Sequence, residues 1–139
     1  MSKKIGYKSG ELISLQSIAG ELIEQENYTD ALKYYNRVES IASKLGQKSV
    51  LARNYKNKGI LYEIIESYDK ALIDFKKSLE LFEILNHTEY ILTIYFDIGR
   101  IYFKLRKNEE RIQYLQKGLD LAIENGDKKF IKMFTNVLN

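Results

Sequence analysis

Residues 55–75 read YKNKGILYEIIESYDKALIDF, and this stretch predicts two amphipathic α-helices joined by a short turn. Before the turn, Tyr55, Gly59 and Tyr62 recur at the spacing of one helix face. After the turn, the same kind of stripe is formed by Tyr68, Ala71, Leu72 and Phe75. The segment is therefore a helix–turn–helix unit with apolar faces that need a partner.

The unit repeats along the chain with a constant period, the shift that carries Ala19 onto Gly59 and Gly59 onto Gly99. Small residues, large apolar residues and turn residues each fall into aligned columns. The columns are Ala19, Gly59 and Gly99; Leu22, Tyr62 and Tyr102; Ala31, Ala71 and Arg111; Tyr35, Phe75 and Leu115; and Gly6, Gly46, Asn86 and Gly126. Small residues let paired helices approach closely, and stacked units bury a continuous core. The sequence therefore predicts an all-α solenoid.

Turn residues mark the expected ends of the helices. The column of Gly6, Gly46, Asn86 and Gly126 contains residue types that tolerate the left-handed conformation, so a helix is expected to end at each of them. Asn27 and Ser67 precede the second helix of a unit, and their side chains suit the N-cap position. For the first helices of the second and third units, the expected caps are Ser49 and Thr88.

The pattern resembles the tetratricopeptide repeat, in which aromatic, Gly, Tyr and Ala residues recur at fixed spacing. The matching residues are Tyr55, Gly59, Tyr62, Ala71, Phe75, Tyr95, Ile98, Gly99 and Tyr102. The resemblance implies a right-handed α-solenoid of three full repeats plus a C-terminal extra helix. We expect repeats at about 9–46, 49–86 and 88–126 and the extra helix at 128–138, in a single domain spanning 1–139.

Two features depart from the family pattern. The period, about 40 residues, is longer than the usual period of about 34 residues, and it is similar to an extended subclass found in scaffolds and in bacterial peptide-sensing regulators. Arg111 occupies the alanine column of the third repeat. Its stem must turn outward, or the third helix pair must splay.

Composition argues against catalysis. The chain has no Cys and one His, His87, which excludes thiolate chemistry and leaves little for acid–base chemistry at neutral pH. No phosphate loop, dinucleotide fingerprint or zinc motif is present. We therefore expect no enzyme activity, no cofactor and no metal.

Charge and hydropathy indicate which partners and which location to expect for the protein. The net charge of +3 does not by itself suggest nucleic acid. A basic run at residues 44–58 is either a solvated linker and helix start or a patch for an acidic partner, and RNA is the least favoured partner. No apolar run reaches the roughly 18 residues of a membrane span. We expect a cytoplasmic protein that binds neither nucleic acid nor membrane.

The family resemblance also implies a binding surface, a concave groove lined by the first helix of each repeat. Carried over to this sequence, the groove residues are Arg53, Lys56, Asn57, Ile60, Phe96, Asp97, Arg100 and Phe103. Phe96 and Phe103 beside Arg100 form the aromatic and cationic mixture typical of binding hot spots. An ordinary solvated helix face carries similar polar residues, and that alternative stays open.

Two functions fit such a groove. The first is a protein–protein interaction module that binds a peptide or a partner helix. The second is the ligand-sensing or peptide-sensing domain of a bacterial signalling regulator, in which the ligand changes the curvature of the solenoid.

The last predicted helix is apolar on more than one side, whereas a terminal repeat is expected to have a polar outer face. Phe130, Phe134 and Val137 are therefore predicted to meet either a further repeat of a longer array or a second copy in a homodimer.

Overall fold

A computed structural model describes the backbone of residues 2–139 and the side chains of residues 10–139. Within this part of the chain there are seven α-helices and no β-strand. The helices are α1 (Ser2–Glu24), α2 (Tyr28–Leu45), α3 (Lys48–Ile64), α4 (Tyr68–Ile84), α5 (Thr88–Lys104), α6 (Asn108–Glu124) and α7 (Lys128–Leu138). Each helix packs against the next one in sequence, and this right-handed α-solenoid confirms the predicted fold class.

One residue in the left-handed conformation closes each turn between helices. These residues are Glu26, Gly46, Glu66, Asn86, Arg106 and Gly126, with φ between 55° and 67°. Their spacing is constant, so each helix with its turn occupies half of the repeat period, and a pair of helices occupies the whole period. The expected helix exits at Gly46, Asn86 and Gly126 are confirmed.

Two expectations about helix ends are wrong. Helix α1 continues through Gly6, because an isolated Gly costs a helix only about 1 kcal/mol and keeps its backbone hydrogen bonds. The N-caps of α3 and α5 are Gln47 and His87, so Ser49 and Thr88 lie inside the first turns. In both turns the N-cap directly follows the left-handed residue, so the cap lies earlier than the polar side chains suggested.

Close approach of paired helices depends on glycine. A Cβ added to Gly59 would lie 2.9 Å from the ring of Phe75, and one added to Gly99 would lie 2.4 Å from Leu115. The close packing of Leu115 on Gly99 shows that the third helix pair does not splay around Arg111. The side chain of Arg111 instead reaches α7, where its guanidinium donates to the backbone carbonyl of Val137.

Buried polar side chains tie successive helices together. The amide of Asn54 donates a hydrogen bond of 2.9 Å to the backbone carbonyl of Tyr35, which joins α3 to α2. The hydroxyl of Ser78 donates one of 2.7 Å to the carbonyl of Ala52, which joins α4 to α3. Each bond also satisfies a polar group that burial would otherwise leave unpaired.

Lys58, the last residue of the basic run, is buried rather than solvated. Its ammonium donates to the carboxylate of Glu39 at 2.9 Å and lies 4.0 Å from that of Asp74. Burial alone would lower the pKa of Lys58, but the bond to Glu39 and the charge of Asp74 raise it above its usual value. Lys58 therefore remains charged and links α2, α3 and α4 from the inside.

Helix α7 packs on α6 as the first helix of a fourth unit. Phe130 and Phe134 are buried inside the chain, and a Cβ on Gly118 of α6 would lie 2.3 Å from the ring of Phe134. Neither aromatic side chain is therefore exposed for the predicted contact with a second copy or a further repeat. Of the three residues expected there, Val137 alone is half-buried.

Among residues 2–139, no helix combines the length and the apolar character of a membrane span.

Candidate functional site

Arg100, Glu63 and Asp97 form an ion network between α3 and α5. The guanidinium of Arg100 donates hydrogen bonds of 2.6 and 2.7 Å to the two carboxylate oxygens of Glu63. It also donates one of 2.9 Å to Asp97. The hydrogen bonds to Glu63 raise the pKa of Arg100 above its usual value. The guanidinium of Arg100 is therefore paired within the protein, and its contact with a partner stays a prediction.

Asp97 is the most buried member of this network. Burial raises the pKa of Asp97 above its usual value, because the loss of hydration outweighs the attraction of Arg100. One of its carboxylate oxygens accepts from Arg100, and the other is buried without a hydrogen-bond partner among the described residues. Asp97 thus fixes the position of Arg100 and is not exposed to contact a partner directly.

Lys56 extends the network along α3. Its ammonium lies 5.1 Å from the centre of the Tyr90 ring, and its charge acts against the rise in the pKa of Asp97. Together Lys56, Arg100, Glu63 and Asp97 carry two positive and two negative charges. The middle of the predicted groove is therefore electrically balanced.

An apolar cleft of about 290 Å³ lies beside this network, between α5, α6 and α7. Its walls are formed by Phe96, Gly99, Arg100, Phe103, Arg111, Leu115 and Val137. Gly99 has no side chain, so the side chain of Leu115 packs directly against its backbone. These two residues form the floor of the cleft. The cleft has the character of a small binding site, in which apolar walls carry a few polar groups.

The two phenylalanines predicted as anchors differ in exposure. Phe96 is half-buried and meets Phe134 edge to face, with ring centres 5.8 Å apart. Phe103 is 63% exposed, and the guanidinium of Arg111 lies 5.7 Å from the centre of its ring. Phe103 is therefore the aromatic side chain that a ligand entering the cleft would meet first.

Arg111 belongs to the cleft although the sequence did not indicate it as a site residue. Its guanidinium donates to the backbone carbonyl of Val137 and, at 3.3 Å, to the side-chain oxygen of Asn108. The carbonyls in the last turn of a helix lack partners within that helix, so Arg111 satisfies one of them. The only signal in the sequence was the break in the alanine column.

The structure brings together some of the predicted groove residues and leaves others apart. Phe96, Arg100 and Phe103 line one cleft, and Asp97 lies directly behind Arg100. Arg53, Asn57 and Ile60 lie on α3 and are not walls of this cleft; Arg53 and Ile60 are exposed and Asn57 is half-buried. Their contact with a partner stays a prediction.

Comparison with known families agrees with the repeat fold. A tetratricopeptide repeat model matches residues 11–84, which is more than half of the chain, and a second such model matches residues 92–123. The chain belongs to the tetratricopeptide repeat family.

Individual relatives include response regulator aspartate phosphatases of Bacillus subtilis. The chain is 27% identical over 136 residues to response regulator aspartate phosphatase E of Bacillus subtilis (strain 168), covering 92% of this chain and 36% of that protein. It superposes on aspartyl phosphate phosphatase F from Bacillus subtilis with a TM-score of 0.82 and 25% identity, covering 89% of this chain and 32% of that one.

A third similar structure is a Rap protein complexed with competence and sporulation factor. The TM-score is 0.80 at 24% identity, over 88% of this chain and 34% of that one, and this likeness shows the fold. The chain thus spans about a third of the length of the relatives it matches.

Proposed function

We propose that this chain is a protein-interaction module that binds an extended peptide or a partner helix along its concave face. The observation that supports this most directly is the apolar cleft beside Arg100, with exposed Phe103 at its edge. An apolar side chain of the ligand enters the cleft between Phe103 and Val137, while the rest of the ligand follows the first helices of the repeats. Such an anchor in a concave, mostly apolar site is how groove-binding modules hold peptides.

The rigid ion network gives the cleft its shape before a ligand arrives. Arg100 is held by both Glu63 and Asp97, so the cationic wall does not need to be ordered on binding. Arg111 likewise fixes the end of α7 through Val137. Preformed walls reduce the entropy that binding would otherwise lose, and this favours a short peptide as ligand.

The sensing function is the second candidate, and the relatives favour it. They are response regulator aspartate phosphatases, and one similar structure is complexed with competence and sporulation factor. In this form of the proposal, the chain is the ligand-binding part of a bacterial regulator. The phosphatase activity in those names is not carried over to this chain, for which we propose binding without catalysis.

A peptide array tests the proposed binding. Labelled wild-type protein is applied to an array of random short peptides, beside the variants Phe103→Ser and Ile123→Ser. The second variant is a matched control, because Ile123 is 57% exposed and is not a wall of the cleft. Wild type and Ile123→Ser are expected to bind the same peptides, and Phe103→Ser to lose them. Equal binding by wild type and both variants would show that the peptide site lies outside the cleft. An absence of binding by wild type would exclude peptide recognition.

Small-angle scattering then separates the two functions. A sensing domain changes its curvature when the selected peptide binds, so the scattering profile of the complex should differ from that of the free chain. A scaffold keeps the same profile apart from the added mass. An unchanged curvature would reject the sensing function and leave the interaction function in place.

A further inference from the structure

A second cleft, of about 530 Å³, adjoins the apolar one at the turn between α5 and α6. Phe103 and Arg111 are walls of both clefts. The second cleft also contains Lys104, Arg106 and Lys107. A ligand with an apolar side chain beside Phe103 therefore has four cationic side chains within reach of its neighbouring residues.

The cationic side chains that are found only in the second cleft have no ion-pair partner within the described part of the protein. Among residues 10–139, Lys104, Arg106 and Lys107 make no ion pair with a carboxylate. Glu109 and Glu110 follow in the first turn of α6 but do not line the cleft. The turn therefore differs from the network around Arg100, where acidic neighbours neutralise the cation.

The backbone also contributes positive electrostatic potential at this cleft. The cleft lies at the amino end of α6, where the helix dipole is positive and where the N-cap, Lys107, provides no side-chain acceptor. Arg106 is the left-handed residue of the turn, with φ of 60°. A helix end of this kind would not define a site alone, but here it coincides with four cations and an apolar cleft.

We propose that the preferred ligand of this module is an acidic peptide segment. One large apolar side chain enters the cleft beside Phe103, and carboxylates next to it in the peptide lie over Lys104, Arg106 and Lys107. This inference rests on the proposed peptide-binding function and adds the charge of the ligand. The balanced network around Arg100 gives no preference for either sign, so selection by charge arises at the α5–α6 turn.

Fluorescence anisotropy with a designed probe tests the charge preference. The probe is a labelled short peptide with one leucine flanked by aspartates in a Gly–Ser background, and matched probes carry asparagine or lysine in place of aspartate. At low salt, wild type should bind the aspartate probe about tenfold more tightly than the asparagine probe, and the preference should fall as salt rises. The double variant Lys104→Gln/Lys107→Gln should lose this preference and keep its affinity for the asparagine probe.

A pair of glycine substitutions separates binding from folding. Arg106 and Glu66 occupy equivalent turns of successive repeats, with φ of 60° and 61°. Arg106→Gly and Glu66→Gly both relieve the left-handed conformation, so both should raise the melting temperature. Only Arg106→Gly should weaken binding of the aspartate probe, since Arg106 lines the second cleft and Glu66 is not a wall of either cleft.

The outcomes distinguish this inference from the function on which it rests. If the asparagine and aspartate probes bind equally well, the charge preference is refuted while peptide binding stands. If the aspartate probe is preferred but neither Arg106→Gly nor the double lysine variant changes its affinity, the preference has another origin and the inference is wrong. If no probe binds and the peptide array is also empty, the proposed function and the inference fail together.

Discussion

The guanidinium of Arg100 on α5 forms a two-point hydrogen bond with the carboxylate of Glu63 on α3, at 2.6 and 2.7 Å. This pair joins the first helices of two successive repeats directly, across a long separation in sequence. Paired N–H donors and carboxylate oxygens make this one of the stronger kinds of ion pair. The pair therefore contributes to the relative position of these two repeats.

A double-mutant cycle on Glu63→Ala and Arg100→Ala should give a coupling of about 1 kcal/mol in the free energy of unfolding, because both side chains are partly shielded from water. The reference is the pair Asp30–Lys33, whose side chains are 48% and 75% exposed at a distance of 3.7 Å. The same cycle there should give less than about 0.5 kcal/mol. Equal couplings measured by chemical denaturation would show that Arg100 and Glu63 do not hold the repeats together.

Asp97→Asn should change the pH dependence of stability. The pKa of Asp97 is raised in the folded state, so ionisation of its carboxyl disfavours folding. The protonated carboxyl therefore contributes to the free energy of unfolding at acidic pH, and this contribution is lost as pH rises through the folded pKa. Asparagine keeps an oxygen that accepts from Arg100 and does not ionise. The free energy of unfolding of the variant relative to wild type should therefore increase from acidic to neutral pH. A difference that falls over this range in denaturation curves would reverse the assigned pKa direction.

Gly118→Ala should destabilise the fold by about 1–3 kcal/mol, because the new Cβ would lie 2.3 Å from the ring of Phe134 and α7 would have to shift. Gly20→Ala is the matched control. Gly20 lies inside α1 with no atom within 4 Å of an added Cβ, so the substitution should stabilise by up to about 1 kcal/mol through helix propensity. Thermal unfolding that shows the same sign for both variants would contradict the close packing of α7 on α6.

Glu66→Gly should stabilise the chain by several tenths of a kcal/mol to about 1 kcal/mol, because an L-residue in the left-handed conformation carries a steric cost that Gly avoids. Asn86→Gly is the comparison, since Asn86 has a similar φ of 55° but a side chain that tolerates it better. The gain at Asn86 should be smaller. If Asn86→Gly gives the larger increase in melting temperature, the conformation of these turns is not what limits stability there.

The sequence predicted the repeats well because their determinants are local and periodic. Gly59 and Gly99 stand where paired helices approach closely, and Gly46 and Gly126 stand where helices end. Because glycine has no Cβ, it indicates a close approach or a left-handed turn from the sequence alone. Glu66 and Arg106 also adopt the left-handed conformation in equivalent turns, but nothing in their chemistry favours it.

The candidate site was predicted less completely because it depends on contacts between repeats. The family resemblance implied that Arg100 lines a groove but did not reveal its partner Glu63. Lys58 belonged to a basic run for which the sequence left open a solvated helix start or a patch for an acidic partner, but its ammonium lies between carboxylates of α2 and α4. Arg111 was visible as a departure from the alanine column, yet its contact with Val137 depends on where α7 docks. Pairings of this kind require the three-dimensional arrangement.

Backbone chemical-shift mapping tests most directly whether a peptide binds in the cleft between α5, α6 and α7. ¹⁵N-labelled chain is titrated with the tightest peptide from the array, and the amide shifts are followed. The largest changes should cluster at Phe96, Gly99, Phe103 and Val137, with small changes at Ile73 and Ile123, which are exposed away from the cleft. If the largest changes instead surround Ile73 and Ile123 and the cleft amides stay still, the peptide binds elsewhere and the assignment of this site is wrong.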